Sequence, residues 1–301
     1  MSEVIDYARS NELSWPRDSA SGPSHWGDRR ATQVALLAAL LVTPALALAE
    51  AGEPLPLWEA GAGALAVSQQ AYPGASQNVR RGLLFPFLIY RGEILHANQE
   101  SVGLTAVKTD RFELDVGFSG AFGSNSRDVE ARHGMPDLGT LVEFGPRLKW
   151  QLGRGPAGGR LRADFALRGV FDLSDAMRSK GLAFEPRLLY ENRTGAWRYA
   201  ASAGALVGDR RLTDTFYGVA PAYATAARPA YAARSGLIAW RLESNLSRDL
   251  SPNWRVFGIV RVDSVAGAAN RASPLVQRTN GVSVGGGLIY TWARSDTLVR
   301  N

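Results

Sequence analysis

The sequence predicts an all-β chain: a transmembrane antiparallel β-barrel of twelve strands, with short periplasmic turns and long extracellular loops. Three observations carry this prediction. Segments with a side-chain period of two recur along the chain, the mark of strands with two unlike faces. The connections between them alternate short and long, as barrel topology predicts and a soluble sandwich has no reason to do. Aromatic residues begin or end the strands beside the short connections, where an interfacial belt would sit.

The chain has 301 residues and a formal net charge of +6, almost all of it arginine; lysine occurs only at Lys108, Lys149 and Lys180. The arginines are spread at strand period rather than clustered, so nucleic acid is not an expected partner. There is no cysteine, which excludes a disulfide framework and thiol chemistry. Residues 1–28 form a polar lead without periodicity, as from a start assigned too far upstream. Residues 29–49 read as a signal peptide: Arg29 and Arg30, an apolar run over 34–48 broken by Pro44, then Ala47-Leu48-Ala49 with cleavage near Ala49. No later run approaches the roughly 20 apolar residues of a membrane helix. The expected location is the cell outer membrane, with the barrel over 50–292 and a C-terminal tail over 293–301.

The expected strands are 58–67, 83–90, 93–97, 102–108, 111–121, 138–152, 160–171, 182–191, 196–207, 236–248, 254–263 and 281–292. The clearest is 138–152, with Val142, Phe144, Leu148, Trp150 and Leu152 on one face and Glu143, Arg147, Lys149 and Gln151 on the other. The last strand sets Val282, Val284, Leu288, Tyr290 and Trp292 against Ser283, Gly285, Gly287, Ile289 and Thr291. Lipid outside and a wet lumen inside account for such alternation. The long connections are read as 69–81, 123–137, 172–181, 208–234 and 264–280, and only a small link near Asn98 breaks the alternation. Trp58, Tyr90, Phe112, Trp150, Tyr190, Trp197, Trp254 and Trp292 then fall at one rim as an aromatic girdle, with Trp240 placed mid-strand. Pro86, Pro146 and Pro186 lie inside strands, where each removes a ladder donor; local bulges at the last two are the expected accommodation.

Several stretches carry a resemblance: Ala71-Tyr72-Pro73-Gly74-Ala75, Phe85-Pro86-Phe87 through Tyr90-Arg91-Gly92, Asp137-Leu138-Gly139 with Phe144-Gly145-Pro146, and Phe216-Tyr217-Gly218-Val219. In this order and spacing they resemble the MipA/OmpV family of outer-membrane proteins, over roughly 57–292. The resemblance implies an outer-membrane barrel in contact with lipid. Its namesakes imply an envelope scaffold or structural role contacting murein-synthesising and murein-cleaving enzymes, and other members imply adhesion, osmotic response or the passage of solutes or antibiotics.

The residues themselves give no reason to expect catalysis. A lipase-type barrel needs a serine activated by histidine, and after residue 49 the only histidines are His96 and His133, neither in a recognisable motif. No metal spacing or phosphate-cradling motif is present, and no cofactor is expected. The inward faces instead carry a lumen charge network: Glu143, Arg147, Arg162, Asp164, Glu185, Arg187, Arg241, Glu243, Arg261 and Asp263, each acid two or four residues from an arginine. Arg111, Glu113, Asp115, Lys149, Arg160, Arg168, Arg198 and Arg255 share the inward parity. Such charges must be solvated or paired. They therefore form either an ion-pair filler of a narrow barrel or, as the alternative, an arginine-rich pore favouring small anionic solutes.

Overall fold

A computed structural model describes residues 55–91, 95–97 and 102–299 of the chain. The proposed lead and signal peptide, and the link near Asn98, lie outside these residues. Fourteen strands follow in chain order. They are β1 (Leu55–Pro56), β2 (Trp58–Gln70), β3 (Asn78–Arg91), β4 (Leu95–Ala97), β5 (Val102–Lys108), β6 (Phe112–Ala121), β7 (Leu141–Arg154), β8 (Arg160–Asp172), β9 (Arg178–Thr194), β10 (Trp197–Gly208), β11 (Gly236–Asp249), β12 (Trp254–Ser264), β13 (Asn280–Arg294) and β14 (Leu298–Val299). Strands β2 to β13 pair antiparallel in sequence order, and β13 pairs back onto β2, which closes a twelve-stranded barrel. Closure is the condition for crossing a bilayer with strands, and its shortest pairing is at β4, which meets β3 only at Tyr90 and Arg91. Among the described residues no helix is long and apolar enough to cross a membrane.

The outward faces are apolar, as the alternation requires. Leu84, Leu88, Phe144, Leu148, Phe165, Leu188, Leu242 and Val260 are all exposed on the wall. The prolines obey the same parity but are not absorbed by bulges. Pro146 pairs with Val116 on one side, and toward β8 the ladder opens between Phe144↔Gly169 and Arg147↔Ala166 with the register unbroken. Pro186 does the same toward β10, between Arg187↔Gly204 and Phe184↔Val207. A missing N–H removes ladder bonds on one side only, so the strand keeps its register and no residue is inserted.

The hairpin ends differ from the sequence expectation in extent. Ladder pairing carries β2 to Gln70 and starts β3 at Asn78, so the expected connection 69–81 shrinks to 71–77. Pairing of β8 with β9 likewise reduces 172–181 to 173–177. Polar residues such as Asn78 and Arg80 hid these strand ends, because beyond the bilayer the outward face no longer needs to be apolar. The expected strand at 138–152 begins only at Leu141, and Leu138 bridges to Ser124 inside the loops. Arg111 precedes β6 and is exposed rather than inward-facing. At the end with the short turns, β1 and β14 form a separate two-stranded sheet, so Leu298 and Val299 of the tail are paired with Pro56 and Leu55.

At the opposite end the long loops fold into a hydrophobic core of their own. Helix α1 (Arg210–Tyr217) is capped by Asp209, whose side chain accepts from the Leu212 backbone N–H at 2.8 Å. It buries Leu212 and Tyr217 against Val219 of its own loop and Tyr72, Val129, Met135, Leu138, Val265 and Leu275 from the other loops. Tyr72 and Tyr217 meet edge to face at 6.4 Å. Their hydroxyls donate to the carbonyls of Leu275 at 2.8 Å and Pro73 at 3.0 Å. Arg132, also buried, donates to the carbonyls of Thr215, Phe216 and Pro136. The first two lie at the C-terminal end of α1, where a cation is favoured.

Candidate functional site: the charged lumen

The pleat sends the odd-numbered residues of β7 and β9 and the even-numbered residues of β8 into the lumen, and antiparallel register lines them up. One row runs directly opposite across seven strands: Glu113, Lys149, Asp164, Arg187, Gly204, Arg241, Asp263. Charge alternates along it except where Gly204 separates two arginines. A side chain at 204 has no room, since its Cβ would lie 2.5 Å from the Pro186 carbonyl oxygen and 2.7 Å from the Arg187 Cβ. Glycine thus keeps the row clear where like charges flank it.

The ion pairs follow the rows. Arg147 grips Asp115 through two bonds of 2.9 and 2.6 Å, and Lys149 sits 2.8 Å from Glu113 and 3.1 Å from Asp115. Asp164, wholly buried, accepts from Arg162 at 3.0 Å and from Arg187 at 3.1 Å. Glu185 is shared by Arg168 and Arg241, and Arg241 also holds Asp263 at 2.8 Å. Arg168 reaches Glu143 at 3.0 Å, and Arg261 reaches Glu243 at 2.6 Å. Nearer the short turns, Asp249 joins Arg198 and Arg255.

All ten of the lumen residues named from the sequence are therefore brought onto one inner surface, joined by Asp115, Lys149 and Arg168. The partnering differs from the expected spacing. Of the pairs named above, Arg162 and Asp164 pair within a strand and the others are made across strands. The reason is distance, because directly opposite residues have Cβ atoms about 5 Å apart, whereas i and i+2 on one strand are separated by about 7 Å.

The other side of the lumen is apolar, which the alternation did not announce. Leu65, Phe85, Phe257 and Ile289 pack inside β2, β3, β12 and β13. Gly287 faces this cluster, and a Cβ there would meet the Ala64 carbonyl oxygen at 2.2 Å and the Phe257 ring at 2.6 Å. The continuously apolar stretch 83–90 was the available signal, since it left no polar residue for an inner face. Between this charged wall and the loop core lies a cavity of about 190 Å³. Tyr72, Leu138, Leu212 and Phe216 line its loop side, and Arg187, Arg241 and Arg261 line its lumen side.

The eight aromatic residues named from the sequence occupy strand ends at the short-turn rim. Trp58 lies opposite Tyr90, and Phe112 opposite Trp150 with rings 5.8 Å apart. Trp254 lies opposite Tyr290 at 4.7 Å, and Trp292 is more than half exposed two residues further on. Trp197 carries the Arg248 guanidinium over its ring at 5.0 Å. Tyr190 contacts Tyr199 and donates to the Pro156 carbonyl in the turn. Trp240 lies inside β11, toward its long-loop end, where it pairs with Ser264, the last residue of β12. His96 lies in β4, opposite Arg91 and Gly103. His133 is exposed in a loop, and its carbonyl accepts from Arg228.

Comparison with known proteins adds a family and a set of distant barrels. Residues 61–292 match the family model described as MltA-interacting protein MipA. No curated protein matches the sequence. Among solved structures, an outer-membrane channel of the COG4313 type from Pseudomonas putida F1 is 12% identical, with 81% of this chain and 100% of that one covered and a TM-score of 0.33. Outer membrane phospholipase A from Escherichia coli is 13% identical, covering 84% and 97%, also at 0.33. A Pseudomonas aeruginosa FadL homologue is 9% identical, covering 78% and 88%, at 0.27. Overlaps this loose support no inference about chemistry.

Proposed function

We propose a function from the premise that the chain belongs to the MltA-interacting protein MipA family. It is an outer-membrane β-barrel protein. We read it as a non-enzymatic envelope scaffold whose barrel is filled rather than open. The short-turn end, with its aromatic girdle and the β1–β14 sheet, is placed in the periplasm, where murein-synthesising and murein-cleaving enzymes would meet it. The folded loops are placed outside.

The observation that carries this reading is the state of the lumen. Its arginines are held by carboxylates on neighbouring strands, and the end with the long loops is covered by a packed core. A twelve-stranded barrel lies between filled and channel-forming sizes, so the side chains decide. The alternative is a narrow pore favouring anionic solutes, and the cavity beneath the loops favours it. Six arginines and five carboxylates line that cavity, however, a near balance that leaves little anion preference. Two measurements separate these readings. A scaffold gives no conductance steps in a planar bilayer and cross-links to murein enzymes in the native envelope. Discrete anion-selective steps would favour the pore, and release of fatty acid or peptide by the purified barrel would overturn the non-enzymatic assignment.

A further inference from the structure

We infer that the cavity between loop core and lumen is a binding site for a small carboxylate with an apolar body, about the size of benzoate. The cavity has a volume of about 190 Å³, and an apolar protein cavity of about 150 Å³ is enough to hold benzene. Its two sides differ in chemistry. The loop side offers Tyr72, Leu138, Leu212 and Phe216, and the opposite side offers guanidinium groups.

Two of those guanidiniums are only partly used. The side chains of Arg187 and Arg261 keep 25% and 35% exposure, against 6% to 17% for Arg147, Arg162, Arg168 and Arg241. Arg187 engages one carboxylate, Asp164, through Nε at 3.3 Å and Nη2 at 3.1 Å. Arg261 engages one carboxylate, Glu243, through Nε at 2.8 Å and Nη2 at 2.6 Å. The Nη1 nitrogen of each has no partner among the described residues, and both side chains line the cavity. A guanidinium carries five N–H donors, so each can take a second acceptor without leaving its first. An apolar body on the ligand suits the loop side, which inorganic anions cannot exploit. This site does not depend on the scaffold reading, because binding and conductance are measured separately.

The test is calorimetric titration of the purified, folded full-length barrel in detergent with benzoate, benzamide and inorganic phosphate. Saturable binding of benzoate, with benzamide and phosphate at least tenfold weaker, is the expected result. Arg187→Gln and Arg261→Gln should each weaken benzoate about tenfold, the worth of one charge-assisted hydrogen bond. Heat-modified gel mobility verifies that each variant is folded. Should Arg187→Gln fail to assemble, Arg261→Gln and the ligand comparison on the unaltered barrel still decide. No benzoate binding, equal binding of benzamide, or benzoate affinity indifferent to Arg261→Gln would each overturn the assignment. Phosphate binding as tight as benzoate would show an anion site without the apolar component, and would overturn it too.

Discussion

Asp164→Asn is the sharpest probe of whether the lumen is a structural filler. Asp164 is fully buried and is the shared acceptor of Arg162 and Arg187. Asparagine keeps the shape and removes the charge. Breaking a buried ion pair by removing one partner costs about 3–5 kcal/mol, because the other charge is left uncompensated. Arg162 retains Glu191 at 3.5 Å, whereas Arg187 keeps no carboxylate in direct contact and is left with the more distant Glu185 and Glu243. One stranded cation rather than two places the expected loss near the lower limit, about 3 kcal/mol. Arg187→Ala is the milder converse, since Asp164 then keeps Arg162 and no buried charge is left without a partner. The assay is equilibrium unfolding in detergent, read by heat-modified mobility and tryptophan fluorescence. The control is Arg178→Ala, an exposed partner of Asp175 worth about 0.5 kcal/mol or less. If Asp164→Asn and the control lose the same stability, the lumen is water-screened and the filler argument is wrong.

Three further outcomes are expected. Phe144→Arg and Leu148→Arg place a charge on the lipid face and should each cost about 2–4 kcal/mol near the midplane; Glu143→Gln, whose partner Arg168 keeps Glu185, should cost about 1 kcal/mol or less in the same unfolding assay. Burial pushes the Tyr72 phenol up to about 12 from near 10, with the Arg132 charge pulling the other way, and burial raises Tyr217 as well. Each phenol is therefore favoured protonated in the folded loops; the contribution of Tyr72 is complete below pH 10 and lost as pH rises through about 12, and is worth about 3 kcal/mol. Loop proteolysis should rise across that window in the wild type, and an unchanged cleavage rate up to pH 12 would refute the coupling. Finally, a cysteine at the exposed Ala226 should be labelled by a membrane-impermeant thiol reagent on intact cells, and one at Gly155 should not; labelling at Gly155 would reverse the orientation.

Much of this barrel is determined by the sequence alone, for a physical reason. A lipid-spanning strand must be apolar on its outer face at every second residue, so β6, β7 and β11 announce both their existence and their facing through Phe112, Leu148 and Leu242. The inward arginines and acids were legible from the same parity. What parity cannot supply is the angular position of each strand around the barrel and its register against the next. Only those choose Asp263 for Arg241 and Glu143 for Arg168, and set Leu65, Phe85, Phe257 and Ile289 together opposite the charged wall. The loops were legible least. Their packing of Tyr72 and Tyr217 under α1 joins residues 145 positions apart. No period links such residues, because outside the bilayer water satisfies the backbone and leaves the side-chain pattern unconstrained until the loops meet in three dimensions.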